Sequence, residues 1–218
     1  MHQELVRRGY SCSKRRINRL MRELNIKSST IGLYAWKPGQ HEFYSSTGNQ
    51  LGKEQPANRV GVHWGGDFTY IKTKQGWLFH AVVLDLYSRK VVGWSFSSKR
   101  NAELTKSALK VALQKEAYEK GCLFHSDQGI EYAAHEYRDM LLAAGMRRSM
   151  SRKSTPTDNA IVESYFHTFK NEVVQRRVYD SGYEAVAEAV DFINFYNRER
   201  LHTSLNYQSP ENYEMLCA

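Results

Sequence analysis

Three acidic residues stand at the places where strand-like and helix-like runs begin or end: Asp67, Asp127 and Glu163. Asp67 lies in the run Asp67-Phe-Thr-Tyr-Ile71 and shares a strand face with Thr69 and Ile71. Asp127 follows directly on the apolar run Cys122-Leu-Phe-His125, just beyond a carboxyl end, where open α/β sheets place their ligands. Glu163 falls about one turn into a helix whose expected cap is Thr157 or Asp158. Carboxylates drawn from separate elements suit a hard cation such as Mg2+, which takes one or two of them plus phosphate oxygens. Two such ions activate the attacking oxygen and stabilise the leaving one in a displacement at phosphorus. An isolated Asp after a strand is more often a turn residue or a cap, and Asp85 and Asp158 read that way.

The helix that carries Glu163 has two distinct faces. Val162, Phe166, Phe169 and Val173 form an apolar stripe that must face a core. About a quarter-turn away lie Asn159, Glu163, His167 and Lys170. Glu163 and Lys170 are seven residues apart and so nearly in line, a carboxylate and a cation able to hold a metal and a phosphate side by side. Asn159 and His167 read as supporting residues. Before this helix, residues 147–156 read as a Ser-rich basic loop in which Arg147, Arg148, Arg152 and Lys153 bring four positive charges and no acid. Such charges grip phosphates and position DNA without reading its sequence. His125 and His202 have no cysteine partner at ligand spacing and read as packed or hydrogen-bonding residues rather than zinc ligands.

The elements that position these side chains are legible from periodicity. Asp67–Ile71, Leu78–Leu84 and Lys90–Phe96 are strand-like runs with turn-length connectors, an antiparallel meander. A helix capped by Asn101 follows, then the short strand at Cys122, then a helix over Ala133–Ala144 that ends at Gly145. Two further helices are expected over about residues 158–176 and 183–197. Meander, helix, strand and more helices is the order of a ribonuclease-H-like α/β fold with a mixed sheet. The pair Gly65-Gly66 is expected to loosen the first strand.

Composition sets the outer bounds. The chain has 218 residues, 41% of them hydrophobic and 12% aromatic, enough for a real core. Net charge is +8, and residues 1–30 supply +6 of it through eight Lys or Arg against Glu4 and Glu23. Within them, Gly9 to Lys27 reads as a basic helix capped by Ser11 or Ser13, with Arg15, Arg16 and Arg19 as candidate DNA contacts. It looks like the last helix of a helix-turn-helix. Residues 31–56 hold many turn formers and read as a linker, leaving 57–218 as the main domain. Three scattered cysteines argue against a disulfide framework or zinc ribbon. No run approaches the ~20 apolar residues of a membrane helix, so a cytoplasmic protein with no membrane partner is expected.

The segments Gly66-Asp-Phe-Thr-Tyr-Ile71, His125-Ser-Asp-Gln-Gly129 and Asp158-Asn-Ala-Ile-Val-Glu163 resemble the catalytic motifs of insertion-sequence transposases. The family is the one here called IS-three, whose second reading frame encodes an integrase-type core of the Asp-Asp-Glu superfamily. Fifty-nine residues separate Asp67 from Asp127 and 35 separate Asp127 from Glu163, as in that family's signature. The likeness continues through Ala81–Trp94, Ser149–Lys153, Phe195–Arg198 and Ser209-Pro210, and spans about residues 57–213. It implies a metal triad of Asp67, Asp127 and Glu163 holding two Mg2+ ions, with Mn2+ as substitute. It implies strand cleavage at element ends followed by strand transfer, with double-stranded DNA as partner. A homo-oligomer on DNA and a first-frame helix-turn-helix partner follow from the same resemblance, as does a DNA-contacting role for Lys170. The alternatives are a catalytically silent DNA-binding descendant of such an element and a ribonuclease-H-type nuclease.

Overall fold

The computed structural model describes residues 1–26, 47–153 and 155–217. Its centre is a five-stranded sheet in the order β3-β2-β1-β4-β5. Strands β1 (His63–Thr73), β2 (Gly76–Asp85) and β3 (Val91–Ser97) form the expected antiparallel meander. The β1–β2 hairpin turns over Lys74 and Gln75 because Gly76 adopts φ +125°. Helix α3 (Ala102–Lys115) starts where the Asn101 side chain accepts the Leu104 N–H at 3.2 Å. It carries the chain across to β4 (Leu123–Ser126), which pairs parallel to β1.

After β4 come α4 (Ile130–Ala133) and α5 (His135–Ala143), the single expected helix broken at Ala134. Gly145, at φ +68°, ends α5 as foreseen. The expected loop at 147–156 is in its first half a strand. Residues Arg147–Met150 form β5, parallel to β4 at the sheet edge. Four residues of Arg-Arg-Ser-Met carry no alternation to announce a strand. The pairing with β4 and a tie to the chain upstream hold it, since the Ser149 hydroxyl accepts the N–H groups of Gln50 and Leu51 at 2.9 and 3.0 Å. A 3-10 turn at Pro156–Asn159 leads into α6 (Ala160–Glu172), and α7 (Gly182–Arg198) follows. The Ser209-Pro210 tail, read from sequence without structure, begins helix α8 (Pro210–Cys217).

The sheet is covered on both faces, which explains why Ala81-Val-Val-Leu84 is apolar without alternation. Val82 and Leu84 face a core shared with Val162, Phe166, Phe169 and Val173 of the α6 stripe and with Phe192 and Ile193 of α7. Ala81 and Val83 face the other core, with Leu104, Ala108 and Leu109 of α3 and Tyr137 and Leu141 of α5.

Upstream of the sheet the expected basic helix is shorter than read and has a companion. It runs over Lys14–Glu23 as α2, capped by Ser13, whose hydroxyl accepts the Arg16 N–H at 3.2 Å. A six-residue helix α1 (His2–Arg7) precedes it, and Gly9 at φ +85° separates the two. Of the α2 stripe only Ile17 is buried, while Leu20 and Leu24 are exposed. Much of the expected linker, residues 31–46, lies outside the described residues. Its last part is anchored: besides the Ser149 contacts, Glu54 pairs with His63 and Arg147, and Leu51 packs against the α6–α7 core.

Candidate active site

Strand register alone brings the first two acids together. The β1–β4 ladder ends at Gly66 opposite Ser126, so Asp67 and Asp127 are the next residues on neighbouring strands, which lie about 4.8 Å apart. The Asp67 carboxylate accepts its neighbour's amide, Phe68 N–H, at 2.8 Å. Asp127 accepts Gly129 N–H at 2.9 Å and thereby closes the turn into α4. Glu163 is in the first turn of α6 on its exposed face, clear of the buried stripe.

The electrostatics of Asp67 tie all three acids into one site. Its carboxyl is held well above the usual range, first by burial, then by the negative charges of Asp127 and Glu163. The Phe68 N–H and the Lys170 cation act in the opposite direction. Glu163 and Lys170, in line on α6, thus both lie near enough to Asp67 for their charges to act on its carboxyl. Among the described residues no three carboxylates, imidazoles or thiols are already drawn into a cage around one point. The donor set nevertheless suits a hard divalent cation: three carboxylates on three elements, whose mutual repulsion at Asp67 a cation would neutralise.

What lets the neighbours of β1 approach so closely is the glycine pair that read as a weakness. A Cβ at Gly65 would stand 2.8 Å from both Leu86 Cδ2 and Val162 Cγ2. One at Gly66 would stand 2.6 Å from Phe124 Cζ. Gly65 therefore lets the first turn of α6 lie close against β1 on one face, and Gly66 leaves room for the Phe124 ring on the other. Asn159 supports the same junction by donating from its side-chain amide to Gly66 C=O at 3.4 Å. His167 meets Asn171 at 2.9 Å on the helix, one turn further along α6.

A second charged pair, invisible in the sequence reading, braces the Asp127 turn. Glu131 is buried and Arg100 binds it, Nε to Oε1 at 2.5 Å. The Arg100 guanidinium also sits 5.0 Å from the Phe68 ring centroid. One cation therefore touches the residue after Asp67 and the acid four residues after Asp127. Thirty-one positions separate the pair, so no local pattern could have shown it.

The other sequence-assigned residues divide by position. Arg147 pairs opposite Leu123, at the amino end of β4 and away from Asp127. Its guanidinium is engaged by Glu54 and by Gly121 C=O at 2.9 Å. Arg148 is half-buried, with Nη2 2.8 Å from Met150 Sδ. Arg152 and exposed Lys153 follow the carboxyl end of β5, on the side of the acids. Arg152 binds Asp158 through its N–H at 2.8 Å and its guanidinium at 2.9 Å. That contact pulls the Asp158 carboxyl down to about 2 and makes Asp158 the clasp of the 152–158 loop, while the cap position of α6 falls to Asn159, without a side-chain cap bond, rather than to Thr157 or Asp158. Asp85 is the buried turn acid expected, accepting the N–H groups of Gly61, Tyr87 and Ser88. His125 is a buried hydrogen-bonding residue between the hydroxyls of Ser149 and Ser151, at 2.8 and 3.0 Å. His202 packs on Tyr196. Arg15, Arg16 and Arg19 are exposed on α2.

Comparison with known proteins places this geometry. Two models described as "Integrase core domain" match, one over residues 57–156 and one over 144–210. The transposase for insertion sequence element IS904 of Lactococcus lactis is 36% identical over 94% of this chain and 82% of its own length. Transposase InsF for insertion sequence IS3A of Escherichia coli is 37% identical over 80% of this chain, which there spans 57% of the relative. Among solved structures, a simian T-cell lymphotropic virus intasome chain superposes with TM-score 0.57 at 16% identity, over 82% of this chain and 60% of that one. The HTLV-2 integrase catalytic core in complex with magnesium gives 0.52 at 15% identity, over 72% and 98%. The fold is therefore that of the retroviral integrase catalytic cores, ribonuclease-H-like. With its integrase core and its identity to IS904 over most of both chains, the protein belongs to the insertion-sequence transposases of the IS3 kind.

Proposed function

We propose that the chain cuts and joins DNA at the ends of an insertion sequence, with Asp67, Asp127 and Glu163 as its catalytic acids. The observation that carries this reading is the β1–β4 register that sets Asp67 beside Asp127 on an integrase-type sheet, with Glu163 near enough for its charge to act on the Asp67 carboxyl. The relatives' names and the magnesium complex of a structural neighbour support it.

The three acids would hold divalent cations, two Mg2+ or Mn2+ ions, which when bound polarise the scissile phosphate and ease both attack and departure. Two displacements follow. In the first, water attacks phosphorus and the P–O3′ bond breaks, leaving a 3′-hydroxyl and a 5′-phosphate. In the second, that 3′-oxygen forms a bond to phosphorus of a target strand, and the target's own 3′-oxygen departs with a proton. The residues of the chain supply position and charge. Gly65 and Asn159 fix β1 against α6, and Arg100 with Glu131 holds the Asp127 turn. Lys170 brings a cation to the acids and offers it to a substrate phosphate.

For DNA contacts we assign Lys170, Arg152 and Lys153 to the acid end of the sheet and Arg15, Arg16 and Arg19 to an outlying basic helix. Arg147 and Arg148 serve the structure instead: Arg147 lies at the end of the sheet away from the acids, held by Glu54, and Arg148 is half-buried against Met150. Residues 1–30 form a DNA-binding appendage and 57–218 the catalytic unit, working as a homo-oligomer on DNA beside a first-frame helix-turn-helix partner. The test is incubation with terminal-repeat DNA and Mg2+ or Mn2+. Nicking followed by joining is expected; nicking without joining points to a ribonuclease-H-type hydrolase, and binding without either to a silent descendant.

A further inference from the structure

The ladder between β1 and β4 stops at Gly66–Ser126. Over residues 67–72, therefore, β1 has a strand neighbour among the described residues only on its β2 side. Phe68, Tyr70 and Lys72 alternate with Asp67 and so occupy the other face of the sheet. The β1–β2 register sets Trp77 opposite Lys72 and hence on that same face. The Tyr70 and Trp77 rings meet edge to face, with centroids 5.2 Å apart. Phe68 packs against the core shared with α3, while towards the hairpin the face opens: Tyr70 is half-buried and Trp77 is 38% exposed.

Cations stand over two of these rings and beside them. Arg100 lies over Phe68 at 5.0 Å and Lys170 Nζ over Tyr70 at 4.9 Å, while Lys72 is exposed between Tyr70 and the hairpin. Lys170 joins these rings to the acids, because it stands over Tyr70 and also acts on Asp67 across the bare β1 edge. Aromatic faces interleaved with cations suit unpaired nucleotides: every base has a flat face to stack, and the adjoining phosphates meet the positive charge. A base within a duplex shows only its edge and gains nothing there.

We propose that Tyr70 and Trp77 form a stacking subsite for unpaired nucleotides on the hairpin side of the acids, with Lys72 and Lys170 meeting their phosphates. The subsite rests on the nuclease reading above and extends it by naming the form of DNA held beside the acids. Its consequence is that the enzyme favours frayed or splayed ends over closed duplex at the point of cutting.

The experiment measures binding of the full chain, in chelator without metal, to a fluorescent oligodeoxythymidine and to a duplex of equal length. Trp77→Ala and Tyr70→Leu are expected to weaken single-strand binding roughly 5- to 50-fold each while changing duplex binding by less than about twofold, and Tyr70→Phe to retain it. Thermal unfolding of each variant checks that the hairpin still folds. Equal losses for single strand and duplex, or no loss in either stacking variant, would overturn the subsite. Because no cutting is scored, that result leaves the catalytic acids standing. Conversely, selective single-strand losses in a protein that never nicks DNA would uphold the subsite and sink the nuclease reading.

Discussion

Gly65 and Gly66 show how a residue's meaning depends on what approaches it. In the sequence they look like a soft spot in a strand; in the fold a Cβ at either would press on a neighbour, Leu86 and Val162 at Gly65 and the Phe124 ring at Gly66. Gly66→Ala is expected to cost about 1–3 kcal/mol, as other overpacked cores do, read as a lowered urea midpoint, and to reduce cutting further by displacing Asp67. An unchanged midpoint would mean that Phe124 yields freely. His80 makes a second prediction at this scale. It is fully buried, stacked on Phe96 at 4.4 Å, and burial depresses its imidazole from 6.5 to about 4. The unfolded chain therefore binds a proton that the folded chain refuses. The stabilising contribution is complete above about pH 6.5 and is lost as pH falls towards 4, on the order of 3 kcal/mol in all. His80→Leu should flatten the fall in thermal midpoint between neutral pH and pH near 5; an equally steep fall would assign it to other groups.

Among the elements, those with a strong period were legible and those held by long-range contacts were not. The meander, α3, β4 and the buried stripe of α6 all follow from residue patterns, and so did the positions of Asp127 just after β4 and Glu163 in the first turn of α6, whereas Asp67, read as opening its strand, stands in the middle of β1. Strand β5 escaped because its four residues are held by β4 and by the amides of Gln50 and Leu51, about a hundred positions away. The Arg100–Glu131 brace and the Glu54–Arg147 pair escaped for the same reason. The α6 stripe carries the element-scale prediction. Phe169, fully buried against Phe192 and Tyr165, should cost about 3–5 kcal/mol when changed to Ala, measured by denaturant unfolding. A loss below about 1 kcal/mol would show that α6 is not packed as described.

For the whole molecule, charge and catalysis divide between two regions. Residues 1–30 hold most of the net positive charge, and α2 presents Arg15, Arg16 and Arg19 to solvent. Replacing these three by Ala should lower the slope of log affinity for duplex DNA against log salt by about 2–3, since each phosphate contact contributes close to one. Arg147→Ala should leave that slope unchanged, because its guanidinium is already spent on Glu54. A slope reduced by Arg147→Ala instead would return β5 to the DNA surface. The central claim is that Asp67, Asp127 and Glu163 act together as catalytic acids, and Glu163 tests it best because its side chain lies off the buried stripe. The measurement pairs strand cleavage in Mg2+ or Mn2+ with metal-free thermal unfolding, for the wild type and Glu163→Gln. Cleavage and joining are expected to disappear while the unfolding midpoint stays level or rises, since one of three repelling carboxylates is gone. Equal cleavage by the variant and the wild type would contradict it.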